Sequence, residues 1–146
     1  QPLRVIVDSR LETPPQARIL QGGGPLLIAA AVDCPERRKM LTAAGAEVLL
    51  LPNPAGKVAL SDLLGELGRR GVNEVHAEAG WKLNGSLLRE GLVDELLLYL
   101  APCLLGHHAA GLFNLPELTA LDGKRELKIG DLRQVGSDIR ILARFR

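Results

Sequence analysis

Residues able to do chemistry are densest in the run EAGWKLNGS: Glu78, Ala79, Gly80, Trp81, Lys82, Leu83, Asn84, Gly85 and Ser86. A carboxylate, a glycine and then a helix start make a ready anion site, because unpaired N–H groups and the positive end of the helix dipole meet there. Gly80 would let backbone approach a pyrophosphate with no side chain in the way, and Lys82 would add charge. Gly85 would let the helix pack closely on a ligand or on a neighbouring strand. The run fits neither the GxGxxG nor the P-loop pattern, so the turn alone also reads as an ordinary strand-to-helix junction. Glu78 is less ordinary, since a carboxylate at a strand end is costly to bury without a partner. It is either partly exposed in a local ion pair or a substrate contact. A second polar end, Asp8-Ser9, closes the first apolar run.

Other groups suggest chemistry and fall short of it. His76-Ala77-Glu78 followed by Pro102-Cys103 resembles the HxE…PCxxC ligand pattern of zinc deaminases. Gly106 occupies the place of the second cysteine and His107 lies one residue out of step, while catalytic zinc ordinarily has three protein ligands. The pattern argues against a metal. His107 and His108 read as loop residues. Cys34 precedes Pro35 near a helix start, with no base nearby in sequence, and reads as an inert thiol. The glycines at 22, 23 and 24 lack a following GK[ST] and read as a flexible turn.

These residues need a frame. Residues 3–7 (LRVIV) form a short buried strand and residues 10–25, with Pro14-Pro15 and the glycine run, form a loop. Residues 26–32 and 46–51 are further apolar strands. Between them Pro35 suits the first turn of a helix and Gly45 its end. Ser61 can cap a helix carrying Leu63, Leu64 and Leu67, which Gly71 closes. Residues 74–79 are a fourth strand, 81–91 a helical stretch and 94–101 a fifth strand. Residues 126–135 and 138–145 pair as a hairpin through Gly136-Ser137. Strands alternating with helices predict a mostly parallel sheet covered on both faces, with a C-terminal antiparallel hairpin. The expectation is one three-layer α/β domain over residues 1–146, its site at the strands' carboxyl ends.

The chain has 146 residues, 47% of them hydrophobic and 24% charged, the balance of a folded globular domain. With 18 basic and 17 acidic residues, no one-signed patch points to nucleic acid or a membrane surface. One Trp, one Tyr and two Phe, scattered along the chain, make no base-stacking platform. Two cysteines far apart form no disulfide framework, and a reducing cytoplasm is the default. No apolar run is long enough to cross a bilayer. The opening at Gln1-Pro2, just before a strand, reads as a fragment boundary.

Taken together, QPLRVIVDSRLETP, EAGWKLNGSLLREGLVDELLLYLAPCLLG and IGDLRQVGSDIRI resemble the reductase domain of the bifunctional riboflavin-biosynthesis deaminase/reductase. That family's pattern is a strand ending in Asp-Ser, then E-x-G-x-x-L-x-G-[SA], then G-L-[VI]-D-E-L leading to A-P-x-L-L-G. All three parts stand here in order. The resemblance implies a dihydrofolate-reductase-like fold. It also implies NADPH-dependent reduction of 5-amino-6-(5-phosphoribosylamino)uracil, with hydride transfer to the sugar C1′ through a ring-opened imine. Ser9 then matches a cofactor-contacting position and Glu78 a substrate-contacting one. Gly80, Trp81, Lys82, Leu83, Asn84, Gly85 and Ser86 match the loop and helix start that hold the dinucleotide phosphates. The resemblance further implies a homodimer and no metal; the proton donor stays unassigned.

Two departures stand out. Trp81 is bulkier than the family's usual small residue or proline. The family's domain also has a further first portion before the Asp-Ser strand, so the expectation is that this fragment alone is inactive. Two other readings stay open: a pterin or aminopyrimidine reductase of the same fold, and a nucleotide-binding or assembly module without chemistry.

Overall fold

The computed structural model describes residues 1–145, which divide into two compact units, Gln1–Glu74 and the residues from Val75 onward. In the first unit, β1 (Arg4–Val7), β2 (Leu26–Ala30) and β3 (Glu47–Leu50) form a parallel sheet in the order β1-β2-β3. Every residue of β2 is buried. A strand inside a parallel sheet has both faces covered and so carries an unbroken apolar run, here LLIAA. Leu26, Ile28 and Ala30 on one face pack in a core with Leu11, Leu41 and Ala46.

The crossovers between these strands are helical. Helix α1 (Arg18–Gln21) is a single turn inside the stretch expected to be loop. Its Leu20 packs against the core, and that tertiary contact gives the turn a reason to form. The glycine run bends without forming a regular turn, with positive φ at Gly23 and Gly24, and the Arg4 guanidinium donates to their carbonyls at 2.9 and 3.2 Å. Helix α2 (Pro35–Ala43) has its proline in the first turn, and Gly45 follows it with a φ of 92°. Helix α3 (Leu60–Arg69) buries Leu60, Leu63 and Leu67. Ser61 does not cap it. The helix starts two residues earlier than a Ser61 cap would place it, at Leu60 after Ala59, with no side-chain cap, because Leu60 is already the first member of the buried stripe. Beyond its end, Arg70 grips the Glu47 carboxylate with two 2.7 Å hydrogen bonds and so ties α3 to β3.

In the second unit, helix α4 (Trp81–Arg89) precedes β4 (Glu95–Leu100), β5 (Leu127–Val135) and β6 (Asp138–Phe145). These strands form an antiparallel sheet in the order β4-β6-β5. The terminal hairpin is as expected, with Gly136 at a φ of 63° in its turn. The single, mostly parallel sheet is not. β4 joins the hairpin as an antiparallel partner of β6, so the strands divide into one parallel and one antiparallel sheet. The expected fourth strand at 74–79 is also corrected. It has strand-like alternation at Val75, Ala77 and Ala79, but among the described residues it joins no ladder. Strand character needs a neighbour to receive the backbone hydrogen bonds, and alternation alone cannot supply one.

Candidate functional site

At the carboxyl end of the first sheet, β1 runs into a tight loop. The Asp8 carboxylate accepts from the Thr13 amide and the Thr13 hydroxyl, both at 2.7 Å, and from the Arg10 amide at 3.3 Å. Partial burial pushes the Asp8 carboxyl up. Backbone hydrogen bonds from Glu12, Thr13 and Arg10, with the Thr13 hydroxyl, outweigh that and hold it below its ordinary value. Ser9 turns its carbonyl to the end of β2, accepting from the Ala31 and Val32 amides at 3.0 and 2.9 Å. A polar cleft of about 360 Å³ opens beside this loop, lined by Val7, Asp8, Ser9, Arg10, Glu12 and Lys57. Lys57 arrives from the turn after β3, which Asn53 holds by accepting from the Ala55 and Lys57 amides at 2.9 Å. Ser9 thus sits where an open parallel sheet takes ligands. Arg10 and Lys57 escaped the sequence reading, because only the folded turn brings Lys57 to the end of β1.

In the second unit the run 80–86 forms the start of α4. The first helical bond runs from the Asn84 amide to the Gly80 carbonyl at 3.1 Å, so the amides of Trp81, Lys82 and Leu83 have no backbone acceptor. No side chain caps this end and its first turn has no acidic residue, whereas α2 carries Glu36 and α3 carries Asp62 there. A Cβ placed on Gly80 would meet nothing within 4 Å. Gly80 has a φ of −75°, a value any residue adopts, so neither crowding nor backbone conformation requires glycine at this position. Trp81 and Lys82 are exposed. Free amides, a cation and an open approach are the donor set that a dinucleotide's phosphates need, and in that sense the residues fit the group.

The rest of the run has other partners. Asn84 donates to the Ala79 carbonyl at 3.0 Å and to the Leu112 carbonyl at 3.4 Å. Ser86 donates to the Lys82 carbonyl and accepts from Arg89. Gly85 faces the backbone of Asn114 rather than open space, so its small size serves packing within the chain. Glu78 lies on the unpaired segment with its side chain 85% exposed, 3.4 Å from the His76 imidazole. Ser9 belongs to the first unit, and Glu78 and residues 80–86 to the second.

Among the described residues no group of three His, Cys, Asp or Glu side chains is placed to hold a metal, and both cysteines are free thiols. Among the described residues no helix is long and apolar enough to cross a membrane.

A family model described as the RibD C-terminal domain matches residues 1–141. The chain is 37% identical over 139 residues to the riboflavin biosynthesis protein RibD of Escherichia coli, covering 95% of this chain and 37% of that protein. It is 31% identical over 141 residues to a protein of Buchnera aphidicola named 5-amino-6-(5-phosphoribosylamino)uracil reductase, covering 97% of this chain and 66% of that one. Among solved structures, Acinetobacter baumannii RibD superposes with a TM-score of 0.85 at 30% identity, over all of this chain and 38% of that one. The chain therefore spans well under half the length of these two RibD proteins.

Proposed function

Because the chain belongs to the RibD C-terminal domain family, we propose that it reduces 5-amino-6-(5-phosphoribosylamino)uracil to the ribitylamino product of riboflavin biosynthesis, using NADPH. The observation that carries the reading is the bare N-terminus of α4: three unpaired amides beside Lys82, with no acidic residue in the first turn. A bound dihydronicotinamide supplies the hydride. The chain's own part is to hold and orient. The amides of Trp81, Lys82 and Leu83 grip the phosphates across the open space at Gly80, while Asn84, Gly85 and Ser86 hold the helix start in shape. Ser9 contacts the cofactor from the end of β1. Arg10 and Lys57 offer two cations to the additional phosphate of NADPH, set in the cleft lining against Glu12 and against Asp8, whose carboxylate is engaged by its own loop. Glu78, with an exposed carboxylate, orients the sugar hydroxyls.

We also assign the two units to one reductase domain that works as a homodimer in the cytoplasm. Leu100, Ile129, Leu132 and Ile139 share one face of the second sheet and are large apolar side chains left exposed, as a self-association surface would be. The two free thiols suit a reducing compartment.

Trp81 is the sole tryptophan and stands at the proposed phosphate grip, so its emission is a direct probe. NADPH should quench it by energy transfer, saturating at lower concentration than NADH. Absence of saturable quenching by either nucleotide would overturn the reading. Dihydrofolate-dependent NADPH oxidation, with none on the ribosylaminopyrimidine phosphate, would overturn the substrate assignment. Light scattering settles the dimer.

A further inference from the structure

We propose that Asp8 is a positioning residue that holds the loop after β1 in the one shape that presents Ser9 and Arg10 to the polar cleft. The proposal rests on the reading of that cleft as part of the cofactor site.

Leu11 is the one non-glycine residue with positive φ among those described, at 55°, a region that a branched side chain enters only under constraint. Three groups of contacts supply the constraint. The Leu11 side chain is 1% exposed in the core of the first unit, which pins the far side of the loop. The Arg37 guanidinium of α2 donates to the Arg10 carbonyl at 3.1 Å, and the amides of Ala31 and Val32 hold the Ser9 carbonyl. The third group is at Asp8: its carbonyl accepts from the Leu11 amide at 3.2 Å, and its carboxylate gathers the Arg10 and Thr13 amides and the Thr13 hydroxyl around one side chain. It closes the turn from inside, so Ser9, Arg10 and Glu12 lie on the cleft side while Leu11 turns into the core. Asp8 is itself part of the cleft lining, but both of its carboxylate oxygens accept hydrogen bonds within the chain, so its part is to hold the loop.

A carboxamide has one acceptor oxygen, so Asp8→Asn keeps the shape of the side chain and forfeits part of the clamp. Asp8→Ala removes it. Thr13→Val removes only the hydroxyl bond, and Thr13→Ser restores it. The measurement is nucleotide affinity of the full chain by Trp81 quenching with NADPH, alongside amide hydrogen exchange at Arg10 and Thr13. Val48→Ala in β3 is the control, since it loosens the core that Leu11 packs into without removing any hydrogen bond of the loop.

Expected are faster exchange at Arg10 and Thr13 and an affinity loss of about tenfold in Asp8→Ala. Asp8→Asn and Thr13→Val should lose less, and Thr13→Ser should match the native chain. Val48→Ala should lose stability and keep affinity. Deprotected amides with affinity unchanged in Asp8→Ala would overturn the proposal and leave the cofactor reading standing. An equal affinity loss in Val48→Ala at equal destabilisation would reduce Asp8 to a structural residue and overturn it too. No binding by the native chain would sink the cofactor reading and the proposal with it.

Discussion

Gly85→Ala separates the two glycines of the run 80–86 and tests whether the start of α4 is built as described. A Cβ at position 85 would stand 2.7 Å from both the carbonyl carbon and the amide nitrogen of Asn114, and closer still to its oxygen. Ordinary contacts lie at 3.4–4 Å, so the Asn114 backbone would have to retreat. That backbone is held by its own amide, which donates to the Trp81 carbonyl at 2.9 Å, and by Arg89, which donates to its carbonyl. Overpacking of this kind costs about 1–3 kcal/mol. Losing both hydrogen bonds would add roughly 1 kcal/mol each. Against this, alanine gains about 1 kcal/mol over glycine within a helix. The balance is a loss of about 2–4 kcal/mol, combining the overpacking, hydrogen-bond and propensity figures. Urea unfolding followed by Trp81 emission reports on this unit, because Trp81 opens the same helix. The control is Gly80→Ala, whose Cβ meets nothing, so its cost should stay below about 1 kcal/mol, that of a poorer N-cap residue. A Gly85→Ala chain as stable as the native one would refute the packing argument.

Gly80→Ala should keep the fold and weaken NADPH binding several-fold, read by Trp81 quenching, because the methyl group occupies the approach to the amides. Lys82→Ala should weaken NADPH binding about three- to tenfold, and the difference should shrink as salt rises. Glu78→Gln should impair turnover of the ribosylaminopyrimidine phosphate more than NADPH affinity, and unchanged kinetics would remove Glu78 from the site. The folded-state pKa of Asp8 is depressed, so its contribution to stability is fully present above the ordinary value of 3.8 and is lost as pH falls through the lower folded value. The stability gap between native chain and Asp8→Asn, followed by circular dichroism, should therefore narrow on acidification below that ordinary value; a gap that widens would contradict the loop contacts.

What could be read from residues alone was local. LLIAA is apolar at every position, which marks a strand covered on both faces, and Pro35 and Gly45 bracket a helix through their own backbone limits. Gly136-Ser137 between two β-rich runs is a hairpin in the sequence as in the fold. The EAGWKLNGS run also located a bare helix start without any tertiary information, because unsatisfied amides at a helix N-terminus follow from helix geometry.

Tertiary structure decided everything that needs a partner. Residues 74–79 alternate like a strand yet join no ladder among the described residues, and β4 looked like one more parallel strand until its register with β6 made it antiparallel. Leu60 displaced Ser61 from the helix cap because burial of a whole stripe outweighs one capping bond. Gly80 and Gly85 are the same residue type five positions apart, one facing open space and the other the backbone of Asn114. Lys57 has no motif at all and reaches the cleft beside Ser9 only because β1 and β3, parallel on either side of β2, have their carboxyl ends at the same end of the sheet. Spacing along a chain constrains neighbours within a turn or two. Which distant backbone supplies a hydrogen bond, a clash or a charge is set by packing.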